Sequence, residues 1–148
     1  MAPETLIIKD AVSGAQAKIL PKVGFNCYSF AAVHSGGPIE VLWSAADFAA
    51  GAGRPSGSGI PLMFPFAGRI RGTSFRFEGQ QYALPAGDGL GNAIHGFVID
   101  RPWRVTHQAE SRVTGQFQAS LDDASLLKHW PADFRITADY QLAGNTLV

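Results

Sequence analysis

The strongest constraint on the fold of this chain is a strict alternation of apolar and polar side chains close to its C-terminus. Phe134, Ile136, Ala138, Tyr140 and Leu142 alternate there with polar or charged residues. Successive side chains of a β-strand point to opposite faces, so the pattern predicts a strand with one buried face. Weaker alternation predicts further strands at residues 103–107, 113–121, 6–8, 17–20 and 39–43.

Two of these segments carry more specific expectations. Trp103, Val105 and His107 alternate with other residues and are expected to share one face of their strand. In the segment 113–121, Gly115 interrupts the apolar series, which predicts a bulge or a packing gap at that position.

The connections between strands are predicted to be mostly turns. The chain contains 17 glycines and 9 prolines, and apolar residues alternate on both sides of a predicted hairpin turn at 78–80. Helical patterns are confined to residues 44–50 and 122–130, where Asp122 or Asp123 would cap a short helix. We therefore predict an all-β chain, an antiparallel β-sandwich that forms a single domain over residues 1–148.

Composition excludes several classes of protein. The chain has 12 basic and 12 acidic side chains, so no basic field is available to bind nucleic acid. It has one cysteine, and no histidine or carboxylate lies at metal-ligand spacing from His107 or His129, so we predict neither a disulfide framework nor a metal site. Its apolar runs are too short for a membrane span, and its N-terminus does not resemble a signal peptide, which together predict a cytoplasmic location.

The C-terminus predicts a turn followed by the first residues of another strand. Ala143, Gly144 and Asn145 form a turn signal, and residues 146–148 begin a strand that stops at once. We expect that the chain has been cut inside a larger β domain; the alternative is a short terminal edge strand.

Residues 59–72 form the first segment that is difficult to interpret as ordinary strand. Two prolines interrupt an apolar run, and Arg69 and Arg71 follow among glycines. An arginine offers a rigid fork of donors that suits hydroxyl pairs or a carboxylate. The alternative is a buried connector whose arginines pair with surface carboxylates.

Residues 91–97 form the second such segment, with His95 between Ile94 and Gly96. A loop histidine can present a ring nitrogen to a ligand and exchange a proton near neutral pH; it can also simply close the loop by bonding to the backbone. The predicted hairpin brings its open ends together, so Arg69, Arg71 and His95 are expected to converge at one end of a sheet. The glycine-rich residues 87–91 between these segments lack the residues of a phosphate loop and are predicted to be flexible.

Taken together, these segments resemble the aldose 1-epimerase (galactose mutarotase) family. The resemblance rests on five motifs in the order and spacing of that family: residues 59–66 (Gly-Ile-Pro-Leu-Met-Phe-Pro-Phe), 68–70 (Gly-Arg-Ile), 75–79 (Phe-Arg-Phe-Glu-Gly), 82–85 (Tyr-Ala-Leu-Pro) and 92–97 (Asn-Ala-Ile-His-Gly-Phe). Trp103 and the Trp-Pro-Ala-Asp-Phe segment at 130–134 match two later positions. The resemblance implies a galactose mutarotase-like supersandwich, about twice as long as this chain, of which these residues are the N-terminal half.

The resemblance also implies a reaction and a site. Members of the family interconvert the α and β anomers of aldose sugars without a cofactor. Arg69 would bind sugar hydroxyls, and His95 would be the catalytic residue near the ring oxygen. The second histidine and the catalytic glutamate of the family lie in the C-terminal half and have no counterpart here.

Further substrate-binding candidates are Arg71, Asn92, Phe66 and Phe97, the last two by stacking on the C–H face of the sugar. We therefore predict an isomerase that acts on a hexose or a hexose derivative; the alternative is a non-catalytic carbohydrate-binding module. The exposed sheet surface of a half-sandwich is expected to promote a homodimer.

Overall fold

The structure is a computed structural model and describes residues 2–148. Antiparallel strands dominate it, as the alternation of side chains predicts. The strands are β1 (Leu6–Lys9), β2 (Gln16–Leu20), β3 (Asn26–His34), β4 (Gly37–Glu40), β5 (Arg69–Ile70), β6 (Ser74–Phe77), β7 (Gln80–Ala83), β8 (Ala93–Ile94), β9 (Arg104–Gln108), β10 (Arg112–Gln118), β11 (Arg135–Ala143) and β12 (Thr146–Leu147).

The helical segments of the structure are short. They comprise one α-helical turn, α1 (Ala119–Asp122), and three 3₁₀ helices at Phe48–Ala50, Pro55–Gly57 and Ala124–Lys128. Asp123 caps the last of these by accepting a hydrogen bond from the backbone N–H of Ser125. Among residues 2–148, no helix has the length and hydropathy that a membrane span requires.

The strands form two four-stranded sheets and two small ribbons. The first sheet has the order β1-β2-β3-β4, and the second has the order β12-β11-β10-β9. The ribbons pair β5 with β8, and β6 with β7. The β6–β7 ribbon is the predicted hairpin, with Phe75 opposite Tyr82 and the two rings stacked at 5.3 Å.

The apolar faces of the two large sheets share one core. Phe25, the residue before β3, stacks on Trp103 at 5.7 Å and on Tyr140 of β11 at 5.5 Å. Gly115 of β10 lies against the same ring, and a Cβ atom there would come within 2.6 Å of it. The ring of Phe25 fills the predicted packing gap at Gly115. The register of β9 against β10 also shifts between Thr114 and Gly115, which is the predicted bulge.

Two strand assignments made from alternation alone are wrong in part. Val105 and His107 are exposed although Trp103 is buried, because β9 is an edge strand whose pairing with β10 is interrupted by the bulge. Ala119 and Leu121 belong to α1 and not to β10. The carboxylate of Asp122 accepts the backbone N–H of Gln118 at 2.7 Å, which closes a helical turn where the alternation predicts strand.

Exposed apolar side chains lie on and just beyond the edge strand β4. Ile39, Val41 and Trp43 are 57%, 56% and 72% exposed. Of the predicted strand at 39–43, only Ile39 and Glu40 belong to β4. The predicted homodimer through exposed sheet surface stays a prediction.

Candidate functional site

The β5–β8 ribbon brings together the two segments that the sequence singles out. Arg69 pairs with Ile94, the residue that precedes His95. Backbone hydrogen bonds extend this junction on both sides: Ala93 donates to Gly72 at 2.9 Å, and Phe97 donates to Phe64 at 2.7 Å. The expected convergence of residues 59–72 with residues 91–97 is therefore present in the structure.

The backbone at His95 is held in an unusual conformation. His95 has a φ of 64°, in the left-handed region that side chains other than glycine rarely adopt. Gly96 follows with a φ of 69°, and a Cβ atom on it would lie 2.0 Å from the carbonyl oxygen of Phe64. Gly96 thus permits a close approach of two backbones, which holds the histidine at the junction of the two segments.

A cavity of about 750 Å³ opens beside this junction. Its lining includes three of the six residues that sequence reasoning proposes for the site, namely His95, Arg69 and Phe97. Side chains from separate parts of the chain complete the wall, including Arg54, Asp88, Asp100, Arg101 and His129. The volume lies within the range of roughly 300–1,000 Å³ that is usual for small-molecule sites.

Asp88 fixes the orientation of Arg69. Its Oδ2 accepts hydrogen bonds from Nε of Arg69 at 3.0 Å and from Nδ2 of Asn92 at 2.8 Å. Its Oδ1 accepts the backbone N–H groups of Leu90 at 2.7 Å and of Asn92 at 3.0 Å. The side chain of Asp88 is fully buried, whereas that of Arg69 is 60% exposed. The terminal nitrogens of Arg69 have no hydrogen-bond partner among the described residues and remain free for a ligand.

The same hydrogen bonds hold Asp88 in its ionised form. The side-chain amide of Asn92 contributes most, followed by the backbone N–H of Asn92, and the pKa of the Asp88 carboxyl falls well below its usual range. Residues 87–91, which sequence predicts to be a flexible loop, are therefore an ordered turn around a buried carboxylate.

This turn predicts a specific loss of stability in acid. Because the pKa of Asp88 is lower in the folded chain than in the unfolded chain, its stabilising effect is present above about pH 4 and is lost as the pH falls further. We expect Asp88→Asn to unfold at a lower temperature than the parent chain at pH 7. We also expect its melting temperature to fall less between about pH 5 and pH 2, since asparagine does not titrate.

Thermal unfolding followed by circular dichroism at several pH values measures both effects. Asp47→Asn is the control, because Asp47 is exposed and its side chain makes no capping hydrogen bond. Equal acid sensitivity in the parent chain and in Asp88→Asn would exclude the role assigned to this carboxylate.

Three predicted site residues lie outside the cavity lining. Both polar ends of the Asn92 side chain are engaged, since Nδ2 donates to Asp88 and Oδ1 accepts the N–H of Gly72 at 2.9 Å. Arg71 is exposed and is not part of the wall. Phe66 packs edge-on against Phe97 at 5.9 Å and lines a smaller apolar cavity of about 330 Å³. The ring of Phe97 is only 4% exposed, so it lies mainly in the core.

Sequence reasoning missed five charged or titratable side chains of the wall: Arg54, Asp88, Asp100, Arg101 and His129. The position of Arg54 depends on the buried Asn26, whose Nδ2 donates to the carbonyl of Ser58 at 2.9 Å and anchors the adjacent 3₁₀ helix. A local signal did exist for Asp88, because an aspartate followed by a glycine is typical of a turn in which the carboxylate accepts the backbone N–H two residues on. No local pattern indicates the other positions.

The remaining nucleophilic and metal-ligating side chains lie elsewhere. Cys27 is buried in β3, where desolvation raises the pKa of its thiol to about 12, so the thiol stays protonated. Within residues 2–148, no group of three or more histidine, cysteine or acidic side chains is arranged to hold a metal ion.

The comparison with protein-family models decides the family. The model for aldose 1-epimerase matches residues 30–148. This chain belongs to the aldose 1-epimerase family. The family resemblance predicted from the five sequence motifs is confirmed. The comparison with curated proteins finds no match.

Solved structures that resemble this family member share its fold. A protein from Synechocystis sp. PCC 6803 is 27% identical over 99% of this chain, with a TM-score of 0.75. The GalM/aldose epimerase homologue from C. elegans is 23% identical over 95% of this chain, with a TM-score of 0.71. Galactose 1-epimerase from Lactobacillus acidophilus NCFM is 20% identical over 97% of this chain, with a TM-score of 0.62.

The match covers less than half of each of these relatives. The chain spans 47% of the Synechocystis protein, 42% of the C. elegans homologue and 46% of the Lactobacillus enzyme. The predicted all-β, galactose mutarotase-like sandwich is confirmed for the part that the chain spans.

Proposed function

We propose that the 750 Å³ cavity binds a hexose and that its residues take part in interconversion of the α and β anomers. The observation that carries this proposal is the pairing of β5 with β8, which places Arg69 and His95 at one cavity in a member of the aldose 1-epimerase family. Arg69 supplies hydrogen-bond donors, and His95 supplies an imidazole, the side chain that most often serves as a general acid or base.

Anomerisation of a pyranose requires two proton transfers. A base removes the proton of the anomeric hydroxyl while an acid protonates the ring oxygen, and the ring opens to an aldehyde. Closure on the other face of the aldehyde inverts the anomeric centre. Each positioned proton-transfer group contributes roughly 10²- to 10⁴-fold to the rate.

In this scheme His95 is the acid that protonates the ring oxygen. Its left-handed backbone and the hydrogen bond of its N–H to Gly68 at 3.3 Å hold the imidazole at the cavity wall. The base corresponds to the family's catalytic glutamate, which by resemblance has no counterpart in residues 1–148. The geometry of the cavity therefore supports binding and acid catalysis by these residues.

Arg69 binds the sugar through its terminal nitrogens. Its Nε is fixed by Asp88, so the guanidinium plane is already oriented before a ligand arrives, and less entropy is lost on binding. Asn92 acts as a positioning residue, because it holds Asp88 and makes no direct contribution to the cavity wall. Phe97 lines the cavity but is largely buried, so its main role is to support the wall. Contact of Arg71 or Phe66 with the sugar stays a prediction from the sequence.

The test is the affinity of the chain for D-galactose and D-glucose, measured by titration of backbone amide NMR signals. A hydrogen bond from a charged donor is worth roughly 1.5–3 kcal/mol, so Arg69→Ala is expected to raise the dissociation constant by about 10- to 100-fold. Arg76→Ala is the matched control, since Arg76 is exposed on β6 and is not part of the cavity wall. Absence of any response near the cavity to either sugar would refute the proposal.

A further inference from the structure

We propose that His129 is a second histidine that contacts the sugar, and that its Nε2 accepts a hydrogen bond from a sugar hydroxyl. This inference rests on the proposed function, because it assigns a role within the same cavity. His129 lies in the wall together with Arg69 and His95, although it follows His95 by 34 positions in the sequence.

The position of His129 is fixed by the turn that precedes it. Its backbone N–H donates to the carbonyl of Leu126 at 2.9 Å, directly after the 3₁₀ helix Ala124–Lys128. Asp123 caps that helix and forms an ion pair with Arg101 at 3.2 Å, so the helix is attached to another part of the cavity wall. The histidine therefore does not depend on a free loop for its placement.

The hydrogen bond of the ring determines which nitrogen carries the proton. Nδ1 of His129 lies 2.6 Å from the carbonyl oxygen of Ala83, in β7. A carbonyl oxygen only accepts, so Nδ1 must be the donor. In the neutral ring, Nε2 is then unprotonated and carries a lone pair.

Packing restricts the ring further. It lies 6.5 Å from the ring of Phe97, and Trp130 packs edge-on against Phe97 at 6.2 Å. The Nδ1 hydrogen bond and this aromatic contact together set the orientation of the imidazole. Nε2 is the remaining polar atom of the side chain, and His129 is only half-buried.

A hexose needs such an acceptor in this cavity. Arg54, Arg69 and Arg101 supply only donors, whereas each sugar hydroxyl has a proton to donate as well as lone pairs. Both oxygens of Asp88 already accept hydrogen bonds from the protein. Apart from His95, Asp100 and His129 are the ionisable side chains of the wall that keep an acceptor unengaged among the described residues.

Two substitutions separate the acceptor from the structural hydrogen bond. His129→Asn retains an N–H group near the position of Nδ1, which can still donate to Ala83, but it leaves no acceptor at the position of Nε2. His129→Gln retains a polar group near the position of Nε2 but loses the donor to Ala83. We expect His129→Asn to weaken binding of D-galactose or D-glucose by roughly 3- to 10-fold, with a melting temperature close to that of the parent chain. We expect His129→Gln to lower the melting temperature and to affect affinity less.

Ring-nitrogen NMR of the 15N-labelled chain provides a direct readout. We expect the Nδ1–H tautomer of His129 in the free chain and a change of the Nε2 signal when sugar is added. The Nε2–H tautomer, or an affinity that His129→Asn leaves unchanged, would overturn the assignment of His129. An unchanged Nε2 signal while amides near Arg69 respond would also overturn it and leave the proposed function intact. A chain in which no residue responds to either sugar would overturn both.

Discussion

We expect His95→Asn to lower the proposed rate of anomer interconversion by about 100-fold or more in the polypeptide that the complete reading frame encodes. The expected size follows from removal of one positioned proton-transfer group. Asparagine is the informative replacement because it tolerates the left-handed backbone of position 95, where φ is 64°. Its amide can still form a hydrogen bond to the sugar, so affinity is expected to change less than the catalytic constant.

Polarimetry of freshly dissolved α-D-glucose or α-D-galactose measures this rate above that of the spontaneous reaction. His34→Asn is the control, since His34 is exposed and, within residues 2–148, its side chain bonds only to the neighbouring Ser35. If His95→Asn leaves interconversion unchanged, His95 is a residue that closes the loop. If the parent polypeptide binds the sugar without accelerating the reaction, the predicted alternative of a carbohydrate-binding module is correct.

We expect Gly96→Ala to destabilise the fold by about 2–5 kcal/mol. The left-handed backbone of Gly96 costs an alanine roughly 1–2 kcal/mol, and insertion of an atom into a packed region typically costs another 1–3 kcal/mol. The inserted Cβ would lie 2.0 Å from the carbonyl oxygen of Phe64, which is backbone and cannot rotate away. Equilibrium unfolding in urea measures the loss.

Gly79→Ala is a matched control for that measurement. Gly79 has a φ of 80° in the β6–β7 turn, but a Cβ atom there meets no atom of the described residues within 4 Å. We expect this variant to lose only the conformational contribution, about 1–2 kcal/mol. Similar losses for the two variants would show that the close contact between Gly96 and Phe64 is not tightly packed.

The elements that sequence predicted well are those whose signal is local. β11 and the β6–β7 hairpin follow directly from apolar side chains at every second position and from the Glu78-Gly79 turn between two such runs. The bulge or packing gap at Gly115 is also predictable, because a glycine interrupts the apolar series there. The residue that fills the gap is Phe25, 90 positions earlier, and its identity was not predictable from the pattern.

The errors arose where a partner outside the segment overrides the pattern. The alternation of apolar and polar residues continues through Leu121 and predicts strand. The backbone N–H of Gln118 instead donates to the carboxylate of Asp122, and the chain forms the helical turn α1. Val105 and His107 follow the alternation that predicts a buried face. They are nevertheless exposed, because β9 is an edge strand and no second layer covers it there.

The sequence alone suggests Arg69 and His95 as site residues. Each lies in a continuous motif, and the chemistry of an arginine or a histidine side chain is known from its residue type. Periodicity similarly determined that the chain is built from antiparallel strands, since the side-chain period of a strand is a property of the local backbone. The tertiary structure alone decided what surrounds those two residues. Asp88 meets Arg69 across 19 positions, and His129 meets Ala83 across 46. Such contacts depend on how the turns and sheets pack, and no residue spacing within one segment encodes them.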